Sequence, residues 1–260
     1  MNEILPVMGL SAVVIAILFT ITWLIQLRTK NAAIVDTVWS VSYPLLAMVY
    51  FVLINGYAVR QLLILVMVSV WGLRLAAYLY SRTIGKPEDV RYTALRKLWG
   101  DNQNILMLRF YYFQAALAVL LSFPFALLML NTTPSLNFYE YIGVVVWLMA
   151  VVGESLADDQ LRKFKEDPSN KGKICDRGLW YYSRHPNYFF EWQVWVSFFI
   201  MALGSAWGFV TILCPLAMYY FLTQVTGIKY TEASMLKSRG QAFVEYQKST
   251  SSFFPLPKRK

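Results

Sequence analysis

The chain has 260 residues, of which 57% are hydrophobic, 17% aromatic and only 15% charged, and its mean hydropathy is +0.44. Soluble domains carry about 25% charged residues, so a soluble globular fold is excluded. The net charge of +9 would suit nucleic acid, but the basic residues lie in blocks between apolar runs, and no nucleic-acid partner is expected.

Crossing a bilayer takes roughly 20 apolar residues. Candidate spans are Ile4–Leu27, Ala33–Ile54, Gln61–Tyr80, Phe110–Leu130, Tyr141–Asp158, Tyr188–Leu203 and Trp207–Thr226. The first lacks a basic lead and has too long an apolar core for a signal peptide, so it reads as a retained helix. The predicted fold is therefore an all-α, polytopic membrane protein with seven transmembrane helices, forming a single domain over residues 1–260.

Basic residues fix the expected orientation. Of 24 Lys and Arg, 2 follow the first span, 6 lie between the third and fourth, 7 between the fifth and sixth, and 7 after the last. Cytoplasmic loops collect such residues, which predicts an N-terminus outside and a C-terminus in the cytoplasm. Arg60 falls on the opposite side, and Arg74 lies inside the third span. Asn131-Thr132-Thr133 is a glycosylation sequon on the outer side, of a kind that often arises by chance. Cys175 and Cys214 fit no metal or redox spacing, and no metal site is expected.

Gly85-Lys86-Pro87-Glu88-Asp89 breaks the chain after the third span. Arg91 to Leu108 then reads as one interfacial helix, either a connector on the headgroups or a lid over a site.

Ionisable residues inside spans are costly and tend to mark function. They are Asp36, Arg74, Glu154, Asp158 and Glu191, the last placed in the first turn of the sixth span. Tyr78 lies four residues after Arg74 on the same helical face. At helical spacing Glu154, Asp158 and Arg162 stack together with Lys165 nearby, either as a salt-bridge ladder or as part of a site. Next comes the densest polar segment, Gly178-Leu179-Trp180-Tyr181-Tyr182-Ser183-Arg184-His185-Pro186-Asn187-Tyr188-Phe189-Phe190-Glu191, which holds the only histidine. Pro186 suits a first helical turn, and Asn187 and Glu191 share a face. A helix start supplied with Arg184 and His185 is a ready anion site. His185 itself could donate a hydrogen bond, bind phosphate as a cation, or be buried as a hydrogen-bonding residue. Lys229, Tyr230 and Glu232 follow the last span. Neither GxGxxG nor a P-loop occurs, so a soluble-type nucleotide fold is excluded.

The segment from Gly178 to Glu191 resembles the C-terminal region of the steroid 5-alpha-reductase family, in its bacterial-type membrane branch. The likeness extends to Asp158 and Leu161-Arg162, and to Thr226-Gly227-Ile228, Glu232, Leu236, Arg239-Gly240-x-Ala242 and Glu245-Tyr246-Gln247. Ile34-Val35-Asp36-x-x-Trp39 and Gly85-x-x-Glu88-Asp89-x-Arg91-Tyr92 carry it at the N-terminal side. The resemblance implies an NADPH-dependent reductase of a conjugated double bond in a lipophilic enone. It implies cofactor contacts from Asp158, Arg162, Lys165, Tyr182, Arg184, His185, Asn187, Tyr188 and Glu191, with Lys229 and Glu232 closing the site. Residues 138–260 would bind the cofactor and 1–130 the substrate. Asp36, as a protonated acid, would polarise the substrate carbonyl, with Arg74 and Tyr78 nearby. The expected partners are a lipophilic small molecule and membrane lipids, with no obligate protein partner. The membrane would be a bacterial inner membrane or the endoplasmic reticulum.

Three departures stand out. Phe190 occupies the place where reductases carry glycine, their polar pair in the second span is reduced to Asp36 alone, and the histidines that follow their last span are replaced by Lys229 to Glu232. Isoprenylcysteine and phospholipid methyltransferases share Arg-His-Pro-x-Tyr before a helix, so an S-adenosylmethionine-dependent methyltransferase is the alternative.

Overall fold

The computed structural model describes residues 4–259. Among these residues no β-strand forms, and the chain is helical, with one isolated parallel bridge joining Ser183 and Ser251. It divides into two compact units, Met1–Leu136 and Asn137–Lys260.

In the first unit α1 (Ile4–Thr29), α2 (Ile34–Leu53) and α3 (Ala58–Thr83) are long apolar helices. The chain then forms α4 (Val90–Trp99), α5 (Gln103–Leu121) and α6 (Phe123–Leu130). Helix α2 packs on α1 and α3, and α5 packs on α1. Between α2, α3 and α6 lie the buried rings of Tyr43, Trp71 and Phe125, with the Tyr43 ring centroid 5.2 Å from that of Trp71 and 6.2 Å from that of Phe125. Gly72 makes the α2–α3 approach possible: a Cβ there would lie 2.7 Å from Pro44 Cδ. Small residues of this kind let membrane helices close on one another.

Arg60 has a local structural role. It is fully buried, and its guanidinium donates to the carbonyls of Asn131 (2.7 Å), Thr133 (3.1 Å) and Ser135 (2.6 Å). Those bonds satisfy backbone acceptors in a loop that has no ladder of its own.

The predicted continuous helix from Arg91 to Leu108 does not form. Helix α4 stops at Trp99, where Gly100 takes φ +51° and its amide caps onto the Arg96 carbonyl. A residue in that left-handed region ends a helix cheaply only when it is glycine. A 3₁₀ turn over Gly100–Asn102 follows. The predicted fourth span corresponds to α5 and α6, which meet at Ser122.

In the second unit α7 (Phe138–Glu166) opens with a capping box between Asn137 and Glu140. It lies antiparallel to α9 (Pro186–Ala202). Gly143 of α7 sits against Ser197 and Met201, Gly153 against the Phe190 ring, and Asp158 against Asn187. Phe190, the departure noted above, is thus accommodated by the missing side chain of Gly153. The loop between α7 and α9 is anchored by a small core of Phe164, Cys175 and Trp180, and by the turn α8 (Leu179–Tyr182).

The last apolar run is not one regular helix. A 3₁₀ turn over Gly208–Ile212 leads into α10 (Leu213–Tyr220), and a π-turn over Phe221–Val225 ends it. Polar α11 (Ile228–Arg239) and α12 (Gln241–Ser249) follow, separated by Gly240 at φ +54°.

Among the described residues, six helical stretches are long and apolar enough to cross a membrane: Ile4–Thr29, Ile34–Leu53, Ala58–Thr83, Val90–Leu130, Phe138–Glu166 and Gly208–Arg239. The polar helices α4 and α11 lie at the ends of the fourth and sixth stretches, outside their apolar parts. The predicted sixth span is the helix α9, whose 17 residues fall short of the ~20 that a perpendicular crossing takes.

Candidate functional site

In the second unit the start of α9 is built as the sequence suggested. Pro186 is the first helical residue, and His185 is its N-cap. Because the helix begins at Pro186, Glu191 falls in its second turn rather than its first. Asn187 and Glu191 face α7, where Asp158 and Glu154 are buried. Asn187 donates its amide to Asp158 Oδ1 at 3.3 Å, and Glu191 accepts from Trp195 Nε1 at 3.4 Å. Four polar side chains thus lie along the packed face of two apolar helices. Buried groups of this kind need hydrogen-bonding partners, and they are the kind that recognise polar parts of a ligand.

The expected ladder through Glu154, Asp158 and Arg162 is corrected. Asp158 is buried, whereas Arg162 is exposed and pairs with Asp159 (2.5 Å) and Glu166 (3.0 Å), while Lys163 also holds Asp159. Four residues make slightly more than one helical turn, so Arg162 has drifted off the face that Glu154 and Asp158 share. Lys165 and Lys229 are also exposed.

A second correction concerns the anion site. The anion that Arg184 and His185 hold is the protein's own Glu232. Arg184 Nε donates to Glu232 Oε1 at 2.8 Å, His185 Nε2 lies 3.2 Å from the same oxygen, and Gln247 Nε2 donates to Oε2 at 2.7 Å. Arg184 Nη1 donates to the carbonyls of Thr250 and, at 3.1 Å, Gln247. The side chains of Arg184 (10% exposed) and His185 (6%) are almost out of solvent. A free phosphate-binding fork would have neither this burial nor these partners. Burial would raise the Glu232 carboxyl, but hydrogen bonds from His185, Arg184 and Gln247 outweigh it and hold it at about 2. Burial pulls the His185 imidazole below its usual value, against the attraction of Glu232. Tyr188 stacks on His185, centroids 5.4 Å apart, and its hydroxyl lies 3.5 Å from Thr231 Oγ1. Tyr182 is outside this cluster: its ring packs on Tyr181, and its carbonyl accepts from Leu256 N at 3.0 Å.

In the first unit the structure joins two segments that sequence reading quoted but did not connect. Asp36 accepts from Arg91 Nη2 at 2.7 Å on Oδ2 and from the buried Tyr92 hydroxyl at 2.6 Å on Oδ1. Asp89 caps α4 and accepts from Arg91 Nε at 3.0 Å. Glu88 accepts from Ala32 N at 2.7 Å and from Arg96 Nε at 2.9 Å, and Arg96 Nη2 reaches Gln26 Oε1 at 2.7 Å. A cavity of about 260 Å³ beside that pair is lined by Lys30, Glu88, Arg96, Gln103 and Asn104. The expected role of Asp36 as a protonated acid changes accordingly. Both of its oxygens accept, one from a guanidinium, which is the pattern of an anion. Its carboxylate partners are Arg91 and Tyr92; Arg74 and Tyr78 lie one turn apart on α3, with Arg82 over the Tyr78 ring at 5.5 Å. Sequence reading missed Arg91 and Tyr92 as functional residues, because a connector helix gives no periodic signal of the carboxylate it holds.

These bonds make a checkable prediction. Tyr92→Phe removes one donor and is expected to cost about 1–2 kcal/mol. Asp36→Ala leaves the Tyr92 hydroxyl without its acceptor and Arg91 with Asp89 alone, and should cost more. Thermal unfolding of the two variants in one detergent checks the order.

An all-helical fold with six membrane-length apolar stretches, carrying buried polar clusters at its helix ends, defines a multi-pass integral membrane protein. More particularly, the chain belongs to the family described as "Protein of unknown function (DUF1295)", whose model matches residues 22–250. An uncharacterised protein of Schizosaccharomyces pombe is 26% identical over 271 residues, a match that spans 92% of this chain and 77% of the yeast protein. No solved structure matches.

Proposed function

We propose that the protein is a membrane-embedded reductase that uses NADPH to reduce a conjugated carbon–carbon double bond in a lipophilic enone. One observation carries this reading: Asp158 and Glu191 are buried, and half-buried Asn187 is bonded to Asp158, between two apolar helices within the segments that resemble the steroid 5-alpha-reductases. Counting α9 as a short pass gives seven spans with the basic loops and C-terminus in the cytoplasm, where a soluble cofactor is available.

The donor set fits such a cofactor in part. Asn187 and Glu191 offer an amide and a carboxylate to carboxamide and hydroxyl groups, and Asp158 orients Asn187. Exposed Lys165, Arg162 and Lys229 offer cations to phosphate oxygens. Arg184, His185 and Glu232 do not fit direct contact, since they bind one another and the backbone; their part is to hold the start of α9. When bound, the cofactor would supply a hydride to the β carbon of the enone, with the α carbon taking its proton from solvent or a tyrosine. On the substrate side Asp36 acts through Arg91 and Tyr92, and Arg74 and Tyr78 remain the further polar groups.

Thermal unfolding of the detergent-solubilised protein, titrated with NADPH and separately with S-adenosylmethionine, tests the reading. A ligand at 100 times its dissociation constant stabilises by about 2.7 kcal/mol, and NADPH is expected to do so. Stabilisation by S-adenosylmethionine alone would establish the methyltransferase alternative instead. Stabilisation by neither would favour a non-catalytic lipid-binding protein.

A further inference from the structure

We propose that the segment Thr250–Arg259 is a strap that sets the position of Arg184 and His185, so that the start of α9 is formed for ligand only while the strap is docked. The link to a ligand rests on the reading of Asn187 and Glu191 as cofactor contacts.

The strap has almost no regular secondary structure, yet it is pinned along its length. Near α12, Arg184 N donates to Ser251 O at 2.8 Å, and the Arg184 side chain donates to the Thr250 carbonyl. In the middle, buried Ser183 Oγ donates to Phe253 O at 2.8 Å, and Leu256 N donates to Tyr182 O at 3.0 Å. At the far end Lys258 Nζ lies 3.3 Å from Asp176 Oδ2 and 4.5 Å from the Tyr181 ring centroid. Ordering each residue costs backbone entropy, so a docked strap requires a compensating anchor.

Phe253 supplies that anchor. It is 3% exposed and packs among Phe189, Trp192 and Tyr219 at centroid distances of 5.9, 5.8 and 5.1 Å. Phe189 and Trp192 belong to α9 itself, so the strap grips the same helix that presents Asn187 and Glu191. Arg184 connects the two parts of the device, because one guanidinium binds both the Glu232 carboxylate and the Thr250 carbonyl at the start of the strap. Arg184 is therefore a positioning residue.

The test uses the full chain in detergent. Trypsin cleavage after exposed Lys248 reports strap release in the cofactor-free protein, and NADPH titration reports the site. Phe253→Ala is expected to speed that cleavage at least tenfold and to weaken NADPH binding about tenfold. Arg184→Ala should do the same without touching the strap's side chains, and Phe253→Leu, which keeps apolar bulk, should restore both. Weaker NADPH binding in Arg184→Ala with the strap still protected would make Arg184 a direct ligand and overturn the proposal. Strap release with unchanged NADPH affinity would overturn the coupling. If the wild-type protein binds no NADPH, the reductase reading fails; cleavage after Lys248 as slow in both alanine variants as in the wild type would then overturn the strap on its own.

Discussion

Glu232→Ala is expected to lower the stability of the protein by about 3 kcal/mol, the low end of the cost of removing one partner from a buried ion pair. Arg184 and His185 would be left nearly out of solvent without the carboxylate that both hold, and Gln247 would lose its acceptor. By the usual scaling for chains of 150–250 residues, that amounts to a fall of roughly 6–12 °C in Tm. Glu232→Gln keeps the acceptor oxygen but not the charge and should cost about half as much. A Tm for Glu232→Ala within 2 °C of the wild type would mean that the cluster contributes little.

The same cluster gives the protein a directional acid sensitivity. Glu232 titrates at about 2 in the fold against an ordinary 4.5. A depressed carboxylate stabilises the fold above its ordinary value, and that stability is lost as pH falls from about 4.5 towards 2. His185 is depressed from 6.5 by burial. Below 6.5 the unfolded chain takes up a proton that the folded chain resists, so stability also declines as pH falls through that region. Both effects act in the same direction in successive windows. Tm measured between pH 8 and 2.5 should decline below about 6.5, and His185→Gln should remove that first decline while leaving the one below about 4.5.

Much of this organisation is visible in the sequence, and what is hidden has physical causes. Apolar runs mark most membrane-length helices because burial in hydrocarbon leaves little choice of composition. Pro186 marks the start of α9 because its fixed φ and missing amide suit a first turn. The break after Trp99 is less visible, since Gly100 sits in a run whose periodicity would carry a helix through. Residue identity also could not tell a ligand-binding arginine from a positioning one. Arg184 looks the same in either role, and the distinction lies in the backbone carbonyls of Thr250 and Gln247, which carry no side-chain signal. The pairing of Asp36 with Arg91 was hidden in the same way, by a separation of 55 residues and a connector helix. Gly153 and Phe190 show the opposite case. An unusual ring on one helix is matched by a missing side chain on its neighbour, and only the antiparallel register brings the two together.

Asn187→Ala and Glu191→Ala are expected to weaken NADPH binding by 10- to 100-fold, a loss of about 1.4–2.7 kcal/mol. Neither change should unfold the protein. Asn187 makes a single amide bond to Asp158 at 3.3 Å, long enough that its removal should cost no more than about 1 kcal/mol of stability. Glu191→Gln keeps an acceptor for Trp195 Nε1 and should preserve Tm while still losing affinity, because a ligand hydroxyl donates more strongly to a carboxylate than to an amide. Arg162→Ala is the informative contrast. Its guanidinium is exposed and already paired with Asp159 and Glu166, so any phosphate contact it makes is screened by solvent and should change affinity only a few-fold. A result in which Arg162→Ala abolishes binding while Asn187→Ala and Glu191→Ala bind normally would move the cofactor off the buried face of α9 and onto the exposed face of α7.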